Sequence, residues 1–149
     1  MPDNIFVKKL NEEPLDAFAG EIFGLLDVTQ VEERSSLSYV HGRYFVGSSL
    51  GLTLTVAEAD EKGFEDYEFW LSLKIDGLVV ADTSFLEGCG DVIARILTLK
   101  GYDVARPFSL EDWLYERPVV KRILYVREHG TADKAADRIS TLVDEKSVG

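Results

Sequence analysis

Apolar positions near the start of the chain change period from two to three and four. Ile5–Leu10 alternates and reads as a short strand, after which Asn11 is placed to cap a helix whose first turn holds Glu12, Glu13 and Pro14. Leu15, Phe18, Ala19, Ile22, Phe23, Leu25 and Leu26 then recur at three- and four-residue spacing, which predicts one apolar helix face against a core. Gly20 and Gly24 interrupt that helix, and close packing against a neighbouring strand would account for them. From Val31 to Ile75 the period becomes two: Tyr44 and Val46, then Leu50, Leu52, Leu54 and Val56, then Tyr67, Phe69, Leu71 and Leu73 each line one face. These stretches predict antiparallel strands punctuated by Gly42, Gly47 and Gly51, with Asp60–Asp66 as a polar connecting loop. A further strand at Leu78–Ala81, entered through the Asp76-Gly77 turn pair, completes a meander of about four strands.

Thr83 or Ser84 is placed to cap a second helix running to Lys100, with Val92, Ile93, Ile96, Leu97 and Leu99 as its apolar face and Gly101 as its stop. A strand at Tyr102–Ala105 follows, then a short helix at Ser109–Glu116, signalled by Ser109 with Asp112 and ended by Pro118. Val119–Val126 reads as another strand. Thr131 opens a final amphipathic helix, Ala132–Glu145, with Ala135, Ala136, Ile139, Leu142 and Val143 facing inwards. The expected fold is α+β: one domain over residues 1–149, an antiparallel or mixed β-sheet with about three helices packed on it.

A chain of 149 residues with 46% hydrophobic content fills one core and would leave two half-sized domains short of apolar residues. Continuous apolar runs reach only about five residues, against the roughly 20 of a membrane helix. The segment MPDNIFVKKL has acid before its first apolar residues and no apolar stretch with a small-residue cleavage site, so the cytoplasm is the expected compartment. Cys89 is the only cysteine, which excludes an intrachain disulfide and a cysteine-rich zinc site.

Charge changes the picture most. The formal net charge is -11, and residues 1–68 hold 14 acidic and 5 basic residues against 13 and 11 in the remainder. Such a field repels nucleic-acid phosphates and anionic membranes and steers basic partners, so neither nucleic acid nor membrane is an expected partner.

Catalytic patterns are weak. His41 and His129 sit beside glycines in predicted turns without the HxxxH or HExxH spacing of a metal site, and solvated turn histidines explain them. Ser35-Ser36 and Ser48-Ser49 lie in no GxSxG elbow and suit turns. Cys89, between Gly88 and Gly90, lies near a helix start that would favour a thiolate, but Asp82, Glu87 and Asp91 oppose it. No GxGxxG or GxxxxGK[ST] run occurs. No catalytic residue, metal or cofactor is therefore expected.

The acidic run Glu58, Asp60, Glu61, Glu65, Asp66 and Glu68 falls within eleven residues, relieved by Lys62, and lacks the spacing of a calcium loop. A solvated loop would explain the charge alone. Aromatic company argues for more: Phe64, Tyr67, Phe69 and Trp70 stand among the acids, and alternation would put Tyr67 and Phe69 on one face with Glu68 and Trp70 on the other, leaving at least one aromatic at the surface as an anchor. Glu58, Asp60, Glu61, Glu65, Asp66, Glu68, Tyr67 and Trp70, with Glu32 and Glu33, are the candidate partner-binding residues. Lys121, Arg122 and Arg127 form the one basic stretch, too short for a nucleic-acid platform and better read as an edge strand or an internal partner for the acidic half.

An acidic α+β chain with an aromatic-studded acidic loop and no active-site motif, carrying Glu33-Arg34-Ser35-Ser36 followed by Gly42-Arg43-Tyr44-Phe45, resembles in kind the bacterial immunity proteins of polymorphic or contact-dependent toxin systems. The resemblance covers about a third of the chain. It implies a stoichiometric inhibitor of a basic toxin domain, often a nuclease, blocked by carboxylates standing in for phosphates. Two other readings stay open: a small-molecule-binding protein or hydrolase with a pocket between the sheet and helix one, using a carboxylate with a histidine, and a structural subunit that self-associates through an edge strand.

Overall fold

The computed structural model describes residues 3–49, 51–75, 83–108, 119–130 and 137–147. Within them the chain runs β1 (Asp3–Lys8), α1 (Leu15–Leu25), β2 (Val31–Ser35), a 3-10 turn at Val40–Gly42, β3 (Arg43–Ser49), β4 (Leu52–Glu58), β5 (Phe69–Ile75), α2 (Thr83–Leu99), β6 (Asp103–Pro107), β7 (Val119–Glu128) and β8 (Arg138–Ser147). The eight strands form one sheet in the order β2-β3-β4-β5-β1-β6-β7-β8, with every neighbouring pair antiparallel.

Both helices pack on one face of the sheet. Ile5, Val7, Leu54, Val56, Phe69, Leu71, Leu73 and Val104 point to that face and meet Leu15, Phe18, Ile22 and Phe23 of α1 and Leu86, Ala94 and Leu97 of α2. Phe18 stacks on Phe69 at 4.1 Å between ring centroids and meets Tyr102 edge-on at 5.5 Å. Each such fully buried side chain contributes about 1.5–3 kcal/mol, so this layer carries most of the stability. The alternate residues form the opposite face, where Phe6 stacks on Phe64 at 4.1 Å and Tyr67, Ala105 and Val120 complete a smaller cluster. The loop between β4 and β5 folds over this second face.

The expectation of about three helices on the sheet is overturned: two α-helices are present among the described residues, and the expected final helix is a strand over residues 138–147. Ile139, Leu142 and Val143 satisfy a helical spacing, but Ile139, Thr141 and Val143 also alternate as β-branched residues. The ten residues of β7 supply a partner for all ten of β8, from Val119 opposite Ser147 to Glu128 opposite Arg138. Residues 131–136, which would have begun that helix, lie outside the described residues, as do the strand expected at Leu78–Ala81 and the short helix expected at Ser109–Glu116.

Helix α1 starts later than expected. Pro14, not Asn11, holds the capping position in extended conformation (φ -77, ψ 165) and leaves the helix without a side-chain cap. Gly20 and Gly24 are solvent-facing, and a Cβ at either would touch nothing within 4 Å. The close approach between α1 and the sheet is at Gly47 of β3 instead, where a Cβ would stand 2.7 Å from Cε1 of Phe23. Helix α2 buries Leu86, Ala94 and Leu97, whereas Val92 and Leu99 of its expected apolar face are 56% and 45% exposed. No helix among the described residues is long and apolar enough to cross a membrane.

Candidate functional site

Strand alternation fixes which side chains reach the second face. In register across the sheet lie Tyr44 of β3, Ala57 of β4, Trp70 of β5, Phe6 of β1 and Ala105 of β6. Two loops close over this row. The β2–β3 loop turns back on itself through a Ser36 N–H bond to the Gly42 carbonyl at 2.9 Å and lays Tyr39 against Tyr44, ring centroids 4.1 Å apart. The β4–β5 loop is pinned by the Phe6–Phe64 stack and by Gly63, whose missing side chain lets it approach Val120: a Cβ there would stand 2.8 Å from the valine Cγ2. Gly63 also has φ +89, a backbone conformation in which glycine is favoured.

Between the two loops opens a cavity of about 350 Å³. Its aromatic walls are Phe6, Tyr39 and Trp70, and its carboxylates are Glu58, Asp60 and Glu61. Tyr39 and Trp70 lie nearly parallel, 27° apart with centroids at 5.8 Å, and the Trp70 indole N–H donates to Oδ1 of buried Asn4 at 2.9 Å, which holds the ring in place. The walls are therefore preorganised.

The acidic residues expected to act together separate into two groups. Asp66 accepts from Arg122 Nη1 and from Lys146 Nζ, both at 3.0 Å, and Glu65 accepts from the Gly63 N–H at 3.0 Å with Lys146 Nζ 3.8 Å away. Burial raises the Asp66 carboxyl, but the bonds from Lys146, its own backbone and Arg122 outweigh it and hold the carboxyl below its ordinary value. The backbone bond from Gly63 likewise lowers Glu65. Glu68 accepts from the Lys9 N–H at 3.0 Å. Tyr67 is no surface anchor: it is 8% exposed, with the Arg122 guanidinium 5.6 Å and Lys8 Nζ 5.7 Å from its ring centre, and burial pushes its hydroxyl up to about 12. Nor does it share a face with Phe69, which belongs to the core under the helices.

The other group stands at the cavity. Glu58 is bound by Nδ1 of His41, a residue held at φ 57 in the 3-10 turn. Among the described residues no hydrogen bond or ion pair reaches the side chain of Asp60 or Glu61. Burial raises the Glu61 carboxyl, and repulsion from Asp60 and Glu65 adds to it against the pull of Lys62. Glu32 and Glu33 lie far along the sheet on the exposed edge strand β2, where they bind Arg34 and Arg43 of their own chain; Glu33 accepts from Arg43 Nε at 2.7 Å. The structure thus brings together Glu58, Asp60, Glu61 and Trp70 of the expected residues and sets Glu65, Asp66, Tyr67, Glu68, Glu32 and Glu33 apart.

Phe6 and Tyr39 are the wall residues missed in the sequence. Phe6 reads as one alternating strand position among many, and Tyr39 lies in a loop thirty-one residues before Trp70, so no local pattern joins them. Arg122 supplies an internal partner for the acidic half, one of the two readings of its basic stretch: 7% exposed along its side chain, it donates to Asp144 at 2.6 Å and to the Gly63 carbonyl at 3.0 Å besides Asp66.

A second, apolar cavity of about 170 Å³ lies on the helix side, lined by Leu26, Val28, Gly47, Ser49, Leu52, Leu54, Leu73 and Ile93. Among the described residues its lining holds no carboxylate or histidine. Among the described residues no three His, Cys, Asp or Glu side chains gather as metal ligands. Cys89 is half-buried and packs against the main core. No known protein family, curated protein or solved structure matches the chain.

Proposed function

We propose that the chain is a binding protein that takes a basic protein partner on the second face of its sheet, at the cavity between the β2–β3 and β4–β5 loops. The observation that carries this reading is the division of the acidic run: Glu65, Asp66 and Glu68 are satisfied within the chain, while Asp60 and Glu61 stand beside aromatic walls with no hydrogen bond or ion pair among the described residues, and the pull of Lys62 on Glu61 does not offset burial and repulsion there. Unpaired carboxylates close together repel each other, and a cationic partner relieves that repulsion on docking. Rigid aromatic side chains at the same place supply the apolar contact on which interface affinity concentrates. Inhibition of a toxin domain, as in the immunity proteins that the sequence resembles, is the form of this function we favour; the partner's cationic active-site surface would then dock where Asp60 and Glu61 wait.

The test is capture on three immobilised chains: wild type, a cavity variant (Glu58→Gln, Asp60→Asn, Glu61→Gln) and a latch-side variant (Glu65→Gln, Glu68→Gln). The expected result is a basic protein retained by the wild type and the latch-side variant, lost from the cavity variant and eluted by salt, because screening shortens the reach of these charges to about 8 Å at physiological ionic strength. The purified partner should then form a complex of fixed stoichiometry in sedimentation. Equal retention by all three chains, or retention indifferent to salt, would refute the proposal.

A second reading has its own observation. β8 ends the sheet and exposes Leu142 and Val143 at 48% and 54%, which is the feature of a strand that self-associates. Sedimentation equilibrium over a wide concentration range decides it: a dimer that Leu142→Lys dissociates supports this reading, and a monomer throughout removes it.

A further inference from the structure

We propose that α2 is a self-association surface on which a second copy of this chain docks, the two α2 helices packing antiparallel across a two-fold axis at Val92. The proposal goes beyond the binding reading above: it concerns the helix-covered face of the sheet, opposite the face that holds the cavity.

The outward side of α2 is apolar. A helix packed on a sheet ordinarily turns polar residues to solvent, and α1 does so with charged or small residues, Asp16, Ala17, Gly20, Glu21 and Gly24. Helix α2 instead presents Phe85, Val92 and Leu99, 59%, 56% and 45% exposed. These positions are two turns of helix apart, so they stand in one line within about 40° of arc. Single apolar side chains scattered on a surface need no explanation, but a line of three along one helix is the form in which helices bury each other. Gly88 stands in the same strip, and nothing lies within 4 Å of the place its Cβ would occupy, so a neighbouring helix can approach closely there.

Self-complementarity fixes the occupant as a second copy. With the axis at Val92, antiparallel helices set Val92 against Val92 of the second copy, Phe85 against its Leu99, and Gly88 beside its Arg95, whose aliphatic stem fills the space that Gly88 leaves. Charge agrees with this pairing. Arg95 Nε donates to its own Asp91 at 2.8 Å, and Asp91 also accepts from the Tyr125 hydroxyl at 2.8 Å, which fixes the carboxylate. These two side chains flank the apolar line on one side, 42% and 38% exposed. Antiparallel pairing brings Arg95 of each copy next to Asp91 of the other and makes a ring of four charges of alternating sign. Parallel pairing would set Arg95 against the other flank of the second helix, which holds Cys89, Ile96 and Lys100 and no carboxylate. The net charge of -11 on each copy opposes the approach and keeps the dimer weak and reversible. The helices of both copies meet at its centre, so the paired molecule turns its two cavities outward.

The test is sedimentation equilibrium of the full chain from about 1 μM to about 1 mM, on wild type, Val92→Glu and Leu142→Lys. Val92→Glu sets two carboxylates face to face on the axis, at a position already 56% exposed, so the fold of the single copy is kept; its urea midpoint at low concentration checks this. The expected result is a wild-type dimer in the micromolar range, weakened at least about tenfold by Val92→Glu and unchanged by Leu142→Lys. Cross-linking in a Cys89→Ser background reads the orientation independently. A short bifunctional maleimide should join Phe85→Cys chains to Leu99→Cys chains and should not join Phe85→Cys chains to one another, which antiparallel helices hold about 21 Å apart along their axes. A monomer at every concentration would overturn the proposal, as would a dimer that Val92→Glu leaves intact or cross-linking of Phe85→Cys chains to one another. A dimer lost with Leu142→Lys alone assigns self-association to the β8 edge and likewise removes α2. Failure here leaves the binding reading standing, because capture of a basic partner rests on carboxylates of the opposite face.

Discussion

Gly90 sits where α2 crosses β1, and a Cβ there would fall inside the contact radius of Asp3 Oδ2 and 2.9 Å from Arg106 Nη2. Arg106 is 8% exposed along its side chain; it donates to Asp3 at 2.7 Å and to the Tyr125 hydroxyl at 3.0 Å, and Tyr125 in turn donates to Asp91 at 2.8 Å. A charged pair beneath a helix cannot move aside cheaply, because Arg106 and Asp3, 8% and 16% exposed, have little water to turn to. Gly90→Ala is therefore expected to destabilise the protein by about 1–3 kcal/mol, the usual cost of forcing a methyl group into filled space. Gly88 in the same helix is the control: nothing lies within 4 Å of its Cβ position, and Gly88→Ala should stabilise by about 0.5–1 kcal/mol through helix propensity alone. Urea midpoints of the two variants check both signs, and a stable Gly90→Ala chain would show that the packing of α2 is looser than described. The GCGD run thus has a packing role at its second glycine that the sequence alone does not reveal, since Asp3 lies 87 residues away.

At the scale of elements, Arg122 latches the β4–β5 loop to the β7–β8 hairpin. Its guanidinium lies between Asp66 of the loop and Asp144 of β8 and over the rings of Phe64 and Tyr67, at 5.7 and 5.6 Å from their centres. Arg122→Met keeps the length of the side chain and removes the charge, leaving Asp144 without this cation and Asp66 with Lys146 alone, each carboxylate about one-third exposed. Breaking a fully buried pair costs about 3–5 kcal/mol, and water reaching both carboxylates lowers the expectation here to about 2 kcal/mol. Hydrogen exchange should show faster opening at the Phe64 and Tyr67 amides, which bond within the loop to the Glu61 and Phe64 carbonyls, while the Phe18 amide of α1 accelerates less. Uniform acceleration would mean that the arginine supports the whole sheet and not the loop. The same latch, with Lys146, explains why Asp66 is unavailable to a partner: it is neutralised by basic residues more than fifty positions away in the chain.

For the whole molecule, pH acts on two sets of carboxylates with opposite sign. Asp66 and Asp91 have their carboxyls held below 3.8 against the cost of burial, by Lys146 and Arg122 in one case and by Arg95 and Tyr125 in the other. A lowered folded value means that their stabilisation is complete above 3.8 and is lost as pH falls through the folded value. Burial raises Asp3 despite Arg106, and raises Glu61 with Asp60 and Glu65 adding to it. A raised folded value contributes stability that is complete below the ordinary carboxylate range and is lost as pH rises through the folded value. Acidification from neutrality should therefore first raise stability, as Asp3 and Glu61 take up protons and the net charge of -11 relaxes, and then lower it below about pH 4. Urea midpoints across this range are the measurement. Glu61→Gln should flatten the mildly acidic rise, and Asp66→Asn the acid limb; a curve that falls monotonically from neutral pH would contradict the assignment.

Local structure is legible in the residue pattern alone. The period of the apolar residues places α1 and its buried face, the strands β3 to β5, α2 and its Gly101 stop, because those preferences arise from neighbours three or four residues away in a helix and two in a strand. The β8 segment escaped it because residues 138–147 fit both periods, and only the ten-residue edge offered by β7 decides between them. The site divides in the same way. The acidic run and its aromatics are visible as composition, but which carboxylates remain open depends on Arg122 and Lys146, and which rings form walls depends on strand register bringing Phe6 beside Trp70 and on a turn that folds Tyr39 over Tyr44. Charge count is a property of the chain. Charge left unpaired is a property of the fold, since pairing requires groups distant in sequence to come within a few ångströms, and only the tertiary structure sets those distances.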